Sequence, residues 1–255
     1  MILAIDIGNT NIVIGCIENE KPVFIERLST VRTKTEIEYA VDMKTVLDIY
    51  KIKPADIEGG IISSVVPQVT NVAKLAAEKI LHKKVLVIGP GIKTGLNLLL
   101  DQPGQVGAGL VAAAVAGIAD YPVPQIIIDM GTATTVTVID ENKACLGGMI
   151  LPGVRVSLDA LTANASLLAG VGIEAPKKVI GRNTIDCMKS GIVYSNAAAL
   201  DGIIERIEEE LGSKATVIAT GGLAKKIVPH CHKEIHLDED LLLKGLQIIY
   251  EKNKG

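Results

Sequence analysis

The feature that most constrains this chain is a strand–turn–strand unit that occurs twice. Leu3–Ile5 reads as a strand ending at Asp6, followed by a turn at Gly8 to Thr10, a strand over Ile12–Ile17, a polar turn at Glu18 to Lys21, and a third strand over Val23–Leu28. Gln125–Ile128 reads as a strand ending at Asp129, followed by Gly131-Thr132, a strand over Thr135–Ile139, a polar turn at Asp140 to Lys143, and a strand over Cys145–Ile150. Both copies are strand, Asp-x-Gly-x-x, strand, polar turn, strand. The periodicity then predicts a helix over Glu36–Tyr50, with Val41, Met43, Val46, Leu47 and Tyr50 as its apolar positions, a strand over Gly60–Val66, a helix over Val72–Leu81 and a strand over Val85–Ile88. In the second half it predicts a helix over Thr184–Leu211, a strand over Thr216–Thr220 and a helix over Leu241–Glu251. The economical account is an α/β fold made of two copies of one β-β-β-α-β-α unit with a cleft between them. Tyr121-Pro122-Val123-Pro124 breaks any helix running into the second copy, so the halves are expected at 1–118 and 119–255.

Composition limits what such a fold can be. The 255 residues are 48% hydrophobic, yet include no Trp, one Phe and five Tyr, so the core must be Ile, Val, Leu and Ala. That suits central strands buried on both faces. A net charge of −3 argues against a nucleic-acid-binding surface, which needs a basic face. The longest uncharged apolar stretch, Val106 to Ala119, is too short and too Gly-rich for a membrane span. The opening Met1-Ile2-Leu3-Ala4-Ile5-Asp6 meets a carboxylate before a signal-peptide core can form. Cys16, Cys145, Cys187 and Cys231 are scattered, without a Cys-x-x-Cys pair, and read as reduced thiols. A cytoplasmic protein is expected.

The chemistry is concentrated at the two Asp-x-Gly turns. An Asp ending a buried strand is costly unless it holds a cation or is well hydrogen-bonded. Gly8 is expected to take a positive φ and to let backbone N–H groups approach a phosphate, with Asn9, Thr10 and Asn11 adding donors without bulk. This makes an anion cradle beside a carboxylate suited to Mg²⁺. The alternative is an unliganded hairpin turn. Asp129-x-Gly131-Thr132-Ala133-Thr134-Thr135 supplies a second carboxylate and three hydroxyls, and Ala219-Thr220-Gly221-Gly222 a distal turn. The three motifs together resemble the ribonuclease-H-like halves of the actin-like sugar-kinase and chaperone ATPase superfamily, in which the last Gly-Gly turn lies near the adenosine.

A narrower resemblance is carried by Asp6-Ile7-Gly8-Asn9-Thr10-Asn11, Ser63-Ser64-Val65-Val66-Pro67, Lys93-Thr94-Gly95-Leu96-Asn97, Asp129 to Thr135, Gly147-Gly148-Met149-Ile150-Leu151-Pro152-Gly153, Ile180-Gly181-Arg182-Asn183-Thr184, Ser190-Gly191 and Gly245-Leu246, in that order. Together they resemble the type III pantothenate kinase family, which opens coenzyme A biosynthesis. The resemblance implies ATP contacts from Asp6, Ile7, Gly8, Asn9, Thr10, Asn11, Ile12, Val13 and Thr132. It implies a monovalent cation, K⁺ or NH₄⁺, at Asp129, pantothenate against Thr184, Mg²⁺ as cofactor, and a homodimer.

The chain also departs from that family. Where the family reads Tyr-Asp-Asn-Pro and then Gly-Ala-Asp-Arg, this chain has Leu100-Asp101-Gln102-Pro103 and Gly107-Ala108-Gly109-Leu110, and Val136-Thr137 replaces Phe-Asp. The family's base is the Asp, and its Arg and Tyr hold pantothenate, so Gly109, Leu110 and Leu100 imply an acceptor half without base, cation or phenol. Asp101 is the nearest remaining acid, and it also reads as a cap or turn residue before Pro103. Three readings follow: a pantothenate kinase of impaired activity, a non-catalytic ATP-binding paralogue or subunit of a hetero-oligomer, and a kinase for a more apolar acceptor bounded by Leu99, Leu100 and Leu110. His230, His232 and His236 could ligate a metal, although their spacing matches no tight structural pattern and an ordinary loop is the simpler reading.

Overall fold

A computed structural model of the chain describes residues 1–19, 21–165 and 170–254. In chain order the first elements are β1 (Ile2–Ile7), β2 (Asn11–Glu18), β3 (Lys21–Ser29), α1 (Glu36–Ile49), β4 (Gly60–Ser64), α2 (Pro67–Leu81), β5 (Val85–Val87), β6 (Asn97–Leu98) and α3 (Ala108–Asp120). There follow β7 (Gln125–Met130), β8 (Ala133–Ile139), β9 (Ala144–Pro152), α4 (Val154–Asn164), α5 (Thr184–Leu211), β10 (Thr216–Thr220), α6 (Ala224–Ile227), β11 (His236–Leu237) and α7 (Leu241–Asn253). The predicted turn over 18–21 includes Glu20, which lies outside the described residues.

The chain divides into two compact units. One holds Met1–Leu96, Asp101–Ala119 and the segment from Asp240 onward; the other holds Asn97–Leu100 and Asp120–Glu239. The first contains a five-stranded sheet in the order β3-β2-β1-β4-β5, the second a six-stranded sheet in the order β11-β10-β7-β8-β9-β6. Read from β9 to β11, the second sheet repeats the first strand for strand, and β6 is an addition on its edge. The directions repeat as well. β1 pairs antiparallel with β2 and parallel with β4, and β7 pairs antiparallel with β8 and parallel with β10. The duplication read from the motifs is therefore a duplication of topology.

The first sheet is covered by helices on both faces, and the second packs one face against α4 and α5. In the first unit, Leu3, Ile5 and Ile7 pack with Tyr39, Met43, Leu47, Val69 and Ala73 from α1 and α2. Ile2, Ala4 and Ile61 pack against Val111, Ala112 and Val115 of α3 and Leu243, Leu246 and Ile249 of α7. In the second, Ile126, Ile128 and Met130 join Val154 and Leu158 of α4 and Val193, Leu200 and Ile204 of α5. On α1 the buried positions are Tyr39, Ala40, Met43, Val46 and Leu47. Val41 is 57% exposed and Tyr50 39% exposed. The predicted apolar stripe is corrected accordingly. Positions 39, 43, 46 and 47 recur at helical spacing on one face, whereas 41 falls outside it.

The apolar stretch from Val106 to Ala119 is mostly α3, buried continuously from Val111 to Gly117. Among the described residues no helix is long and apolar enough to cross a membrane. α3 meets α7 at a point where only glycine fits: a Cβ on Gly245 would lie 1.8 Å from the Ala112 carbonyl oxygen. Gly245→Ala should therefore destabilise the protein by about 1–3 kcal/mol, although alanine is the better helix former by about 1 kcal/mol. The urea midpoint reads this directly. A midpoint that rises would mean the two helices separate without cost.

Candidate functional site

The first Asp-x-Gly turn is built on β1. Asp6 is the penultimate residue of that strand, opposite Val13 on β2 and beside Ser63 on β4. Ser63 Oγ donates to Asp6 Oδ1 over 2.5 Å. Burial pushes the Asp6 carboxyl pKa upward, and the Ser63 hydrogen bond opposes the shift in part. Ile7 and Ile12 close the hairpin with fully buried side chains, so they can face a ligand only through their backbone. Asn9, Thr10 and Asn11 are exposed at the tip, and Val13 is half-buried.

Gly8 does not take the positive φ expected of it. Its requirement is closeness: Gly8 N–H donates to the Asn11 carbonyl at 3.0 Å, and a Cβ at position 8 would lie 3.1 Å from that oxygen. The chain just after β3 braces the tip. Thr30 Oγ1 donates to the Gly8 carbonyl at 2.7 Å, Thr30 N–H donates to the Thr10 carbonyl at 3.0 Å, and Arg32 Nη2 donates to Asn9 Oδ1 at 3.3 Å.

The second turn repeats the plan on β7. Asp129 is again penultimate, opposite Thr135 on β8 and beside Thr220 on β10, where Asp6 has Val13 and Ser63. Gly131 N–H donates to the Ala133 carbonyl at 3.1 Å, and Thr132 is exposed. Two other glycines let the backbone crowd this turn. A Cβ on Gly153 would lie 2.1 Å from the Thr132 carbonyl oxygen, and one on Gly221 2.5 Å from Asp129 Oδ1. Gly221 has a φ of +92°, which an L side chain seldom adopts, so the Gly221-Gly222 turn can fold over the end of β7. The Thr134 and Thr135 hydroxyls are buried without a hydrogen-bond partner among the described residues. A carboxylate with an unsatisfied hydroxyl in the same cross-strand row is a set of hard oxygen donors, which fits a cation such as K⁺ or Mg²⁺.

The residues expected at the acceptor are spread over several elements. Gly107 precedes α3, and Ala108, Gly109 and Leu110 form its first turn. A Cβ on Gly109 would lie 3.6 Å from Asp6 Oδ1 and 3.4 Å from Leu242 Cδ1, so position 109 looks onto the Asp6 carboxylate. Leu100 follows β6, and its Cδ2 would lie 3.4 Å from a Cβ on Gly147. Thr184 is the first residue of α5, exposed beside the cap residue Asn183, whose Oδ1 accepts from Asp186 N–H at 2.9 Å. Asp101 stands exposed in a bend before the short helical turn Pro103–Gln105, whose N-cap residue is Gln102.

His230 packs edge-on against Tyr194 at 5.4 Å and His236 lies 5.7 Å from the Tyr121 ring. Among the described residues no three potential ligands gather into a metal site. Burial pushes the Cys16 and Cys231 thiols up to about 12, which leaves them protonated and inert. Thr30 and Arg32 are polar partners outside every motif, and Ser63 stands in one without a role read for it. Continuing the β2–β3 register beyond Asn11 and Ser29 places Thr30 next to Thr10, so the meander held a signal for two of them.

The family model for type III pantothenate kinase matches residues 2–206. A type III pantothenate kinase from Exiguobacterium sp. is 45% identical over 254 residues, covering all of both chains. Among solved structures, component A of the (R)-2-hydroxyglutaryl-CoA dehydratase of Acidaminococcus fermentans superposes with a TM-score of 0.56 at 17% identity, covering 98% of this chain and 96% of that one. The inorganic polyphosphate/ATP-glucomannokinase of Arthrobacter sp. strain KM gives a TM-score of 0.50 at 16% identity, covering 99% of each chain. These likenesses show the fold, the duplicated α/β architecture of actin-like ATPases and sugar kinases. The chain belongs to the type III pantothenate kinase family.

Proposed function

We propose that this protein binds ATP through its two Asp-x-Gly turns as a small-molecule kinase of coenzyme A biosynthesis, and that it turns over pantothenate weakly. The observation that carries the reading is the matched pair of strand-end carboxylates, Asp6 beside Ser63 and Asp129 beside Thr220, each followed by a tight glycine turn. In the transfer, the acceptor hydroxyl oxygen bonds to the γ-phosphorus, the bond from that phosphorus to ADP breaks, and the hydroxyl proton passes to a base. The backbone N–H groups and small side chains at 8–11 and at Thr132 hold the phosphates. Asp6 would hold Mg²⁺ and Asp129 with Thr135 a monovalent cation, which supply neutralisation of phosphate charge. Leu100, Gly107, Ala108, Gly109, Leu110 and Thr184 would border the acceptor.

One observation favours a second reading, that of a non-catalytic ATP-binding paralogue. Position 109 looks onto Asp6 but carries no side chain, so nothing there can take the acceptor's proton. A homodimer is consistent with the exposure of Val179, Ile180 and Ile150, at 60%, 82% and 80%. A cytoplasmic location suits the same reading.

Calorimetric titration with a non-hydrolysable ATP analogue and Mg²⁺ tests the first step, followed by turnover with and without pantothenate in K⁺ and in Na⁺ buffer. Saturable binding that tightens in K⁺ is expected, with pantothenate turnover well below the roughly 1–10³ s⁻¹ common among enzymes. Absence of binding at millimolar nucleotide removes the ATP reading. Affinity indifferent to the monovalent cation reduces Asp129 to a structural carboxylate.

A further inference from the structure

The first turn is short of positive charge. From Ile2 to Ile17 the chain has no Lys or Arg, and its one ionisable group apart from the buried Cys16 thiol is the Asp6 carboxylate. A nucleoside triphosphate brings several negative charges, and neutral N–H donors leave most of that charge unmatched.

The strap after β3 brings the missing cation. Thr30 fastens it to the turn through two hydrogen bonds, to the Gly8 and Thr10 carbonyls. Arg32 is exposed, reaches Asn9 Oδ1 through Nη2, and has no carboxylate partner among the described residues. One of its five N–H donors is used there, leaving a planar fork suited to phosphate oxygens. The neighbouring cation is already committed: Lys34 pairs with Asp42 at 2.5 Å and lies over the Tyr39 ring. The strap is fixed from below. Tyr39 is fully buried; its hydroxyl accepts from Val31 N–H at 3.0 Å and donates to the Val31 carbonyl at 2.8 Å. Val31 lies between Thr30 and Arg32, so both backbone groups of the strap's middle residue end on one rigid phenol.

We propose that Arg32 is a phosphate ligand, placing its guanidinium on the terminal phosphate of a nucleoside triphosphate seated on the first turn, and that Tyr39 is the positioning residue that holds the strap. The proposal rests on the ATP reading above and adds to it a residue that recognises the third phosphate.

Arg32→Gln separates the two possible roles, because glutamine can still donate to Asn9 but carries no charge. Binding of a non-hydrolysable ATP analogue, ADP and AMP, each with Mg²⁺, would be measured by calorimetry for the native chain and the variant. The triphosphate affinity should fall roughly 10- to 100-fold while ADP and AMP change little, and Arg32→Lys should recover part of the loss. Tyr39→Phe should weaken the triphosphate selectively as well, with an unchanged circular dichroism spectrum. A glutamine variant that binds the triphosphate like the native chain overturns the proposal, as does an equal loss for all three nucleotides, which marks Arg32 as a structural brace only. If the native chain binds none of them, the ATP reading falls and this proposal with it. Native binding with an indifferent Arg32→Gln variant removes the proposal alone.

Discussion

An Asp6→Asn variant is expected to lose nucleotide affinity by roughly 10²-fold or more, while unfolding at a higher urea concentration than the native chain. The carboxylate stands near the end of a central strand, where burial raises its pKa and Ser63 donates a side-chain hydrogen bond to it. Asparagine keeps an oxygen for Ser63 to donate to and removes the buried charge. The expected stability gain is on the order of 0.5–2 kcal/mol, the range common when a site kept for function is relaxed. Its pH dependence has a definite sign. The unfolded chain loses this proton near the ordinary value of 3.8, and the folded chain loses it at a higher pH. Between the two the folded state binds more protons, so native stability falls as pH rises through that window and stays lowered above it. The advantage of Asn should therefore be small in acid, grow through the window and level off. A native chain more stable than the variant at pH 8 would mean that the ionised carboxylate is well solvated, and Asp6 would lose its standing as a strained functional group.

That strain was legible before the fold was, because an Asp closing an apolar strand is conspicuous in sequence. So was the duplication, since strand, Asp-x-Gly, strand and polar turn recur intact, and β10 pairs with β7 as β4 pairs with β1. The helix Thr184–Leu211 was found with both ends correct, because Asn183 caps one and Gly212, at a φ of +68°, ends the other. Other features were not legible, for physical reasons. α4, over Val154–Asn164, has only Val154 and Leu158 buried, too thin an apolar stripe to announce a helix. β6 and β11 are two residues each, below any periodic signal. The apolar spacing of α7 identifies a helix but not its partner, and it covers β1 and β4 of the first sheet although it follows the second half in sequence. The two Asp-x-Gly motifs each lie on one strand and its turn, where a linear sequence can display them. Ser63, Thr30 and Arg32 reach the turn through register and hydrogen bonds, which a linear motif does not encode.

Combining Gly109→Asp, Leu110→Arg and Leu100→Tyr is expected to raise pantothenate turnover by roughly 10²–10⁴-fold, the usual contribution of a positioned general base. Position 109 can accept the change. The new Cβ would stand 3.4 Å from Leu242 Cδ1 and 3.6 Å from Asp6 Oδ1, both ordinary contacts, so no backbone has to move. It also lies in the first turn of α3, where a carboxylate is favoured by the helix dipole. Its proximity to Asp6 carries a second consequence. Two carboxylates this close do not ionise independently, and the pair should titrate in two steps with one pKa raised. The rising limb of the pH–rate profile should then move upward relative to a lone aspartate, unless bound Mg²⁺ holds Asp6 ionised and the shift is suppressed at saturating metal. The single Gly109→Asp change should act mainly on kcat and Leu110→Arg mainly on KM, since the first supplies a proton acceptor and the second a partner for the pantothenate carboxylate. A triple variant that folds and binds nucleotide but stays silent toward pantothenate would point to the more apolar acceptor. Robust turnover by the native chain would instead give the base's role to another acid. Asp101, exposed in its bend, is the first to replace with asparagine in that case.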